Sequence, residues 1–382
     1  MASHARLSPS KADQWTVCPG AIPFIEANAD RLPQSASGES VAAVQGTLAH
    51  EYSENMIYSM CHPDEDARKS YRAKALDVRL KLQPQIIENA EIYASWATQF
   101  VETQPDIPWG LELSAPLWYE PESGGTADFW AIVGDTLYVV DYKSGRLPVN
   151  VEGNLQISIY LSAIYDLVQK FNPQLRKFRA GVMQPFEHPG RREPVWWDLD
   201  LEMLQRYRSI IDAAVFEIRT PVSGQARLVA SEKGCRFCPA KSLCPAQAEP
   251  VEAFAESVDE EPSALDEDYL FSIFARLPQL RAFLDSVEDY VRDQEDDTLD
   301  RFSLQRKPGA KRRSWKDEET VAKLLQDNGV DPYRKTMKTV AMLERELGDS
   351  APTGLNELVE VDFNRPKIVS TTTPKPKFKV SR

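Results

Sequence analysis

The chain has 382 residues, of which 42% are hydrophobic, enough for two domains or for one large domain with an extension. Its formal net charge of −13 argues against a general polyanion-coating protein, although an enzyme acting on a polyanion needs only a local basic groove. No apolar run is long enough to span a bilayer and no signal peptide is evident, so we expect a cytoplasmic protein without membrane association.

Residues 1–38 are expected to be irregular, because small residues and breakers interrupt any pattern there. The following elements are then predicted in chain order: a helix over 40–60, a second over 85–103, a strand over 111–119, a hairpin over 124–145, a helix over 155–171, strands over 178–184 and 195–199, and a helix over 201–219. A central sheet covered by helices in this order indicates an α/β or α+β domain. Gly46 lies within the first helix, one turn before His50, where a missing side chain would allow a close approach to the sheet.

The hairpin is the most informative stretch of the sequence. Two β-branched and aromatic runs flank Gly134-Asp135, and a two-residue loop that begins with Gly is typical of a type II′ turn. This turn places Val133 opposite Thr136 and sets the register outward. Both strands are apolar on both faces, which is typical of the centre of a covered sheet. One predicted face carries Trp130, Ile132, Leu137 and Val139, and the other carries Phe129, Ala131, Tyr138 and Val140.

The same register brings charged residues together at the open end of the hairpin. Asp128 falls opposite Asp141, and Lys143 points to the same face because side chains alternate along a strand. Two buried like charges repel, and a divalent cation between them would remove the conflict. Oxygen ligands favour Mg²⁺ or Mn²⁺. The alternative interpretation is a salt bridge between Lys143 and two aspartates at the strand ends.

Three cysteines lie close together in the segment Cys235–Cys244, spaced C-x2-C-x5-C. A tetrahedral site needs a fourth ligand; Cys18 is the best candidate, and Cys61, in a charged loop, is the alternative. Four thiolates can hold zinc or an iron–sulfur cluster, and the spacing alone slightly favours zinc. Either group would tie the N-terminal segment to the end of the first domain. The competing interpretation is a set of unrelated buried cysteines.

Several short motifs follow one another in a fixed order. They are Gly46-Thr-x-x-His50, Gly125-Thr-Ala-Asp128, Val139-Val-Asp141-Tyr-Lys143-Ser-Gly145 and Gln156-x-x-x-Tyr160. Together with the cysteine arrangement, this order resembles the RecB-type branch of the PD-(D/E)XK nucleases. The resemblance extends to its iron–sulfur members, which include AddB-type helicase-nucleases and CRISPR-associated RecB-like exonucleases, and the layout is most similar to a phage family of this group. It covers about residues 15–250.

The resemblance implies a fold and an activity. The implied fold is α/β, with a restriction-endonuclease-like core in which helices flank a central mixed sheet. The implied activity is that of a Mg²⁺- or Mn²⁺-dependent deoxyribonuclease, an exonuclease that hydrolyses phosphodiester bonds in phage recombination, repair or end processing. Linear or single-stranded DNA ends, and a phage single-strand annealing protein or recombinase, are the implied partners, in the cytoplasm of the host cell.

The resemblance also assigns roles to individual residues. The implied metal ligands are Asp128, Asp141, His50 and the backbone carbonyl of Tyr142. Lys143 would orient the attacking water or stabilise the phosphate in the transition state, and Gln156 and Tyr160 would line the site. Glu112, on the preceding strand, is either a further member of the site or a charge at the sheet edge.

Relatives with this cysteine spacing carry a [4Fe–4S] cluster, so the resemblance favours such a cluster over a structural Zn²⁺. The implied ligands are Cys18, Cys235, Cys238 and Cys244. A second interpretation of the whole chain is a non-catalytic module that keeps the nuclease fold and binds DNA or a recombinase. Intact Asp128, Asp141 and Lys143 favour the enzyme.

Beyond the nuclease-like domain, predicted over 1–250, the sequence changes in character. Residues 251–268 are predicted to form an acidic linker, 269–370 a mainly helical region, and 371–382 a disordered basic tail. The basic stretch 301–313 is either a DNA contact or a solvated loop. The candidate DNA-binding residues in it are Arg306, Lys307, Lys311, Arg312 and Arg313.

Overall fold

The computed structural model describes residues 6–32, 41–104, 106–188, 190–221, 224–249, 267–307, 311–332, 339–347, 351–363 and 367–370. Contacts divide the chain into two units, Met1–Leu284 and Asp285–Arg382. The predicted basic tail lies outside the described residues, as does all but the last two residues of the predicted acidic linker. None of the helices within the described part of the chain has the length and apolar character needed to cross a bilayer.

The first unit contains more helix at its N-terminus than the sequence predicted. Its helices are α1 (Ala12–Val17), α2 (Ala21–Ala27), α3 (Val41–Cys61), α4 (Glu65–Arg79), α5 (Pro84–Glu102), α6 (Leu155–Val168), α7 (Leu201–Arg219) and α8 (Glu232–Cys235). The expectation that residues 1–38 are irregular is therefore wrong for α1 and α2. These helices are too short to show a periodic pattern, and they are stabilised by burial of Trp15 and Ile22 in a cluster with Ile211 and Val215 of α7.

A five-stranded mixed sheet forms the centre of this unit. Its strands are β1 (Trp109–Leu117), β2 (Glu120–Val133), β3 (Thr136–Tyr142), β4 (Lys177–Met183) and β5 (Val195–Asp200). They lie side by side in sequence order, with β3 and β4 parallel and the other neighbours antiparallel. The parallel pair requires a crossover, which α6 supplies. The α/β class expected from the sequence is confirmed.

The β2–β3 hairpin has the predicted register. Val133 pairs with Thr136, and the ladder continues to Phe129 and Val140. Gly134 has a φ of +59° whereas Asp135 does not have a positive φ, as a type II′ turn requires. The two predicted apolar faces are also confirmed, because one packs in a cluster with α6 and α7 and the other in a cluster with α3, α4 and α5.

The second unit combines short helices with two small sheets. Its first helix begins before the boundary, and its elements are α9 (Glu267–Arg292), α10 (Asp296–Arg301), β6 (Leu304–Lys307), β7 (Lys311–Trp315), α11 (Glu318–Asp327), α12 (Val340–Leu347), β8 (Val359–Phe363) and β9 (Lys367–Ser370). Strand β6 pairs with β9, and β7 pairs with β8. The helices expected here are present, but the basic stretch considered as a loop forms β6 and β7. Paired residues are 60 to 66 positions apart for β6 and β9 and 44 to 52 positions apart for β7 and β8, so no local signal indicated the pairing.

Candidate active site

The site is built on the end of the β2–β3 hairpin. Asp128 and Asp141 are the residues immediately beyond the last ladder pair, and they are 9% and 3% exposed. The Asp128 carboxylate accepts a hydrogen bond from the Tyr142 N–H at 2.6 Å, so it takes the place of a backbone acceptor where the ladder ends. Tyr142 itself is buried and stacks on Tyr93 of α5 at a centroid distance of 4.7 Å. The contact between Tyr142 and Tyr93 therefore fixes the end of the hairpin against helix α5.

Helix α3 brings His50 to this end of the hairpin. His50 Nδ1 lies 3.2 Å from Asp128 Oδ1 and 3.9 Å from Glu112 Oε1. A Cβ placed on Gly46 would lie 3.3 Å from the Ser144 hydroxyl, so the absent side chain allows the close approach that the sequence indicated. Burial alone would lower the pKa of His50, but the charges and hydrogen bonds of Asp128 and Glu112 outweigh it and raise that pKa to about 10.

Glu112 belongs to this group, which the sequence left open. One ligand atom from each of His50, Glu112 and Asp128 lies within 4.8 Å of the others, an arrangement that could hold a metal ion. Glu112 has a φ of +46°, in the left-handed region that non-glycine residues rarely adopt. Such backbone strain is typical of functional sites. No sequence signal indicated this backbone conformation, because a left-handed Glu inside a strand has no local sequence pattern.

Asp141 pairs with Lys143 in a second set of contacts. Lys143 Nζ lies 2.8 Å from Asp141 Oδ2 and donates to Gln156 Oε1 at 3.0 Å, and Gln156 Nε2 contacts the Tyr160 hydroxyl at 3.1 Å. All four predicted residues are therefore joined. Burial would lower the pKa of Lys143, but the adjacent Asp141 charge raises it, so Lys143 stays an ammonium ion. Burial raises the pKa of Tyr160, which stays protonated.

A cleft opens beside the His50–Glu112–Asp128 group. It encloses about 860 Å³, including space open to solvent, and is lined by residues of α3 and by Glu112. Glu51 and Glu54 add two further carboxylates to its wall. Burial raises the pKa of Glu54, and the charges of Glu112 and Glu51 raise it further. A wall of this charge repels an anion unless a cation lies between them.

The four cysteines predicted as ligands converge in a single pocket. Cys18, Cys235, Cys238 and Cys244 line about 320 Å³ of space, whereas Cys61 lies at the end of α3 against the core of α3–α5. Burial raises the pKa of Cys18, Cys238 and Cys244, that of Cys238 to about 11. A bound cation reverses this effect, because a coordinating thiol is deprotonated.

Hydrogen-bond donors surround the sulfur atoms in this pocket. The Val229 N–H points at Cys18 Sγ at 3.2 Å, the Ser231 N–H at Cys235 Sγ at 3.4 Å, and the Gln247 amide at Cys235 Sγ at 2.8 Å. Gln247 is 3% exposed, so a buried donor is aimed at a sulfur. Thiolate ligands accept such bonds, and these donors therefore fit a metal or an iron–sulfur cluster held by the cysteines.

The basic residues of the second unit are partly used within that unit. The Arg306 guanidinium donates to the carbonyls of Arg292 and Gln294 at 2.9 and 2.7 Å and lies 3.3 Å from an Asp296 oxygen. Its donors therefore hold the connection between α9 and β6. Lys307 is exposed on β6. The side chains of the other three candidates, Lys311, Arg312 and Arg313, lie outside the described residues.

Comparisons with known proteins place the chain in a family. A family model described as "Protein of unknown function (DUF2800)" matches residues 4–376. A solved structure titled "Crystal structure of SSO0001" is 13% identical, with a TM-score of 0.24, and the match covers 51% of this chain and 95% of that chain. Because the family model spans nearly the full length, the chain belongs to the DUF2800 family.

Proposed function

We propose that the protein is a metal-dependent DNA nuclease, an exonuclease that hydrolyses phosphodiester bonds from DNA ends. One observation carries the proposal: an imidazole and two carboxylates lie beside the ion pair of the buried Asp141 and the half-buried Lys143 at the end of one hairpin. A lysine–carboxylate salt bridge alone would not need His50 and Glu112 in the same place. The motif order described above supports phosphoryl transfer over other metal-assisted chemistry.

The donor set fits a divalent cation with a preference for oxygen. Asp128, Glu112 and His50 would hold Mg²⁺ or Mn²⁺, with Asp141 and the Tyr142 carbonyl completing the set that the resemblance implies. When bound, the cation would acidify water and neutralise charge on the phosphoryl oxygens. It would also relieve the mutual repulsion of the carboxylates in the cleft.

The other residues act on substrate and solvent. Lys143 is held as an ammonium ion beside Asp141, where it can orient the attacking water or stabilise negative charge on the phosphate. Gln156 accepts a second hydrogen bond from the Lys143 ammonium, and Gln156 in turn donates to the Tyr160 hydroxyl. A preorganised donor of this kind costs no rearrangement during the reaction.

We further propose that the cysteine pocket holds a [4Fe–4S] cluster. The cysteine spacing, which the resemblance associates with such clusters, favours this group over a structural Zn²⁺, and the four cysteines line one pocket. The cluster would have a structural role, joining Cys18 to the Cys235–Cys244 segment.

The catalytic assignment is tested with two variants and two matched controls. Asp141→Asn and Lys143→Ala are each expected to lower cleavage of end-labelled linear DNA by at least about a hundredfold, since each removes transition-state charge stabilisation. The turn of the same hairpin carries Asp135, which forms an exposed ion pair with Lys177 of β4, with Lys177 Nζ 2.9 Å from Asp135 Oδ2. Asp135→Asn and Lys177→Ala should cleave like the wild type. Wild-type rates in either Asp141→Asn or Lys143→Ala would refute the site.

The preference for ends is tested with the topology of the substrate. Linear duplex and linear single-stranded DNA should be degraded with Mg²⁺ or Mn²⁺, and EDTA should stop the reaction. Covalently closed circles should be spared under the same conditions. Rapid linearisation of closed circles would identify an endonuclease, and binding without any hydrolysis would identify a non-catalytic module.

A further inference from the structure

A buried glutamine organises the loop that follows the catalytic strand. Gln184, the residue after β4, is 3% exposed. Its Oε1 accepts the Val149 N–H at 3.0 Å, and its Nε2 donates to the carbonyls of Gly145 and Leu147 at 2.9 and 2.7 Å. A buried amide with these three partners holds the backbone of 145–149 in one conformation, because a buried polar group left unpaired is destabilising.

The main chain of the same residue closes a second turn. The Gln184 carbonyl accepts hydrogen bonds from the N–H groups of Glu187 and His188, both at 3.2 Å. That turn carries Phe186, and the Arg146 guanidinium lies over its ring, 4.6 Å from the centroid. Gln184 therefore positions both the loop that carries Arg146 and the turn that carries the ring beneath it.

This arrangement lies at the catalytic edge of the sheet. Strands β3 and β4 are parallel, so the loops after both of them leave at the edge where Asp141 and Lys143 lie. Arg146 is exposed and follows Lys143 by three residues. Within the described part of the chain, no carboxylate forms an ion pair with it. An exposed guanidinium that lies over a ring and has no carboxylate partner among the described residues suits bidentate binding of a phosphate.

We infer that Arg146 binds a backbone phosphate of the DNA strand next to the phosphate being cleaved, and that Gln184 is the positioning residue for it. This inference rests on the proposed nuclease function. Arg146 would supply positive charge at the same edge of the sheet as the carboxylate-lined cleft. The exposed Leu147 beside it adds apolar surface within reach of a base or sugar. Contacts of this kind position the strand and do not read its sequence.

Equilibrium DNA binding tests the role of Arg146 without cleavage. Asp141→Asn protein is titrated with fluorescent single-stranded and duplex oligonucleotides in Mg²⁺ at several salt concentrations. Adding Arg146→Ala should weaken binding about tenfold for every sequence and lower the salt-dependence slope by about one. Arg146→Lys should keep the slope and recover part of the affinity. Arg206→Ala on α7, where the wild-type arginine pairs with Glu202, is the matched control and should change neither quantity.

A double-mutant cycle tests the role of Gln184. Gln184→Met keeps the volume and removes the three hydrogen bonds, and it should weaken DNA binding in the Asp141→Asn protein. In the presence of Arg146→Ala it should have little further effect, because Gln184 acts through Arg146. A general structural defect would instead give additive losses. Unchanged binding by Arg146→Ala, or additive losses for the pair, overturns the inference alone, whereas absence of DNA binding by the Asp141→Asn protein overturns the proposed function as well.

Discussion

The protonation of His50 should make metal binding at the proposed site depend on pH. Asp128 and Glu112 raise its pKa to about 10, so without metal the imidazole is protonated at neutral pH. A cation can use this nitrogen only after the proton leaves, so we expect affinity for Mn²⁺ to rise with pH, by up to about tenfold per unit below that pKa and to level off above it. Titration calorimetry at pH 7.5 in buffers of different ionisation enthalpy should detect release of about one proton per ion.

The control for this prediction is His50→Asn, which keeps a polar side chain but has no proton to lose. Its affinity for Mn²⁺ should be lower and nearly independent of pH. A wild-type protein that binds Mn²⁺ without releasing a proton would contradict the assignment of His50 as a ligand.

Gly125 shows why the motif before Asp128 requires a glycine. A Cβ at this position would lie 2.9 Å from Tyr160 Cε1 and 3.1 Å from Leu117 Cδ2. Gly125→Ala should therefore destabilise the protein by about 1–3 kcal/mol and displace Tyr160 from Gln156, lowering activity. Gly145→Ala, which would meet no atom within 4 Å, should keep wild-type stability. Chemical denaturation in urea measures both, and equal stability of the two variants would contradict the packing argument.

The positive φ of Glu112 in strand β1 should affect stability. Because Glu112 has a φ of +46°, Glu112→Gly should be more stable than Glu112→Ala by about 1 kcal/mol. Ser114 is an exposed residue of the same strand that has no positive φ. There the order of stability should be reversed, so that Ser114→Ala is more stable than Ser114→Gly. Denaturant unfolding in EDTA separates this backbone effect from metal binding. Both Glu112 variants should bind Mn²⁺ more weakly. An alanine more stable than glycine at position 112 would show that the strand is not strained.

The first unit is closed on itself across more than 200 residues of sequence. The Gly20 N–H donates to the Arg227 carbonyl at 2.8 Å, and Lys233 Nζ lies 2.8 Å from Asp13 Oδ2. These contacts hold the N-terminal segment beside the Cys235–Cys244 segment. A cluster would add a crosslink to them.

Loss of that crosslink should affect the whole unit. Cys18→Ser protein, purified without air, should contain less iron and be less stable by roughly 2–5 kcal/mol, as when a long-range crosslink is removed. Cys61→Ser, outside the pocket, is the matched control and should keep full iron content. Elemental analysis and thermal unfolding measure the two effects. If elemental analysis finds stoichiometric zinc and no iron, the cluster proposal is wrong and the pocket is a structural zinc site.

Local chemistry determined much of the site from the sequence alone. The Gly134-Asp135 turn set the register of the hairpin, and side-chain alternation then placed Asp128, Asp141 and Lys143 at one end. Both are properties of adjacent residues, so they are readable without the fold. Cysteine spacing likewise indicated the group of Cys235, Cys238 and Cys244, because its members lie within ten residues of one another in the sequence.

Only the tertiary structure decided which residues complete the site. Glu112, which has a left-handed backbone, lies beside His50 of a helix far away in the sequence, and Arg146 lies over Phe186 because Gln184 joins two loops separated by 35 residues or more. The pairing of β6 with β9 is a similar case, since each strand is short and finds its partner far along the chain. In all three, the deciding interaction is between residues distant in sequence, whereas propensity and periodicity report only on near neighbours.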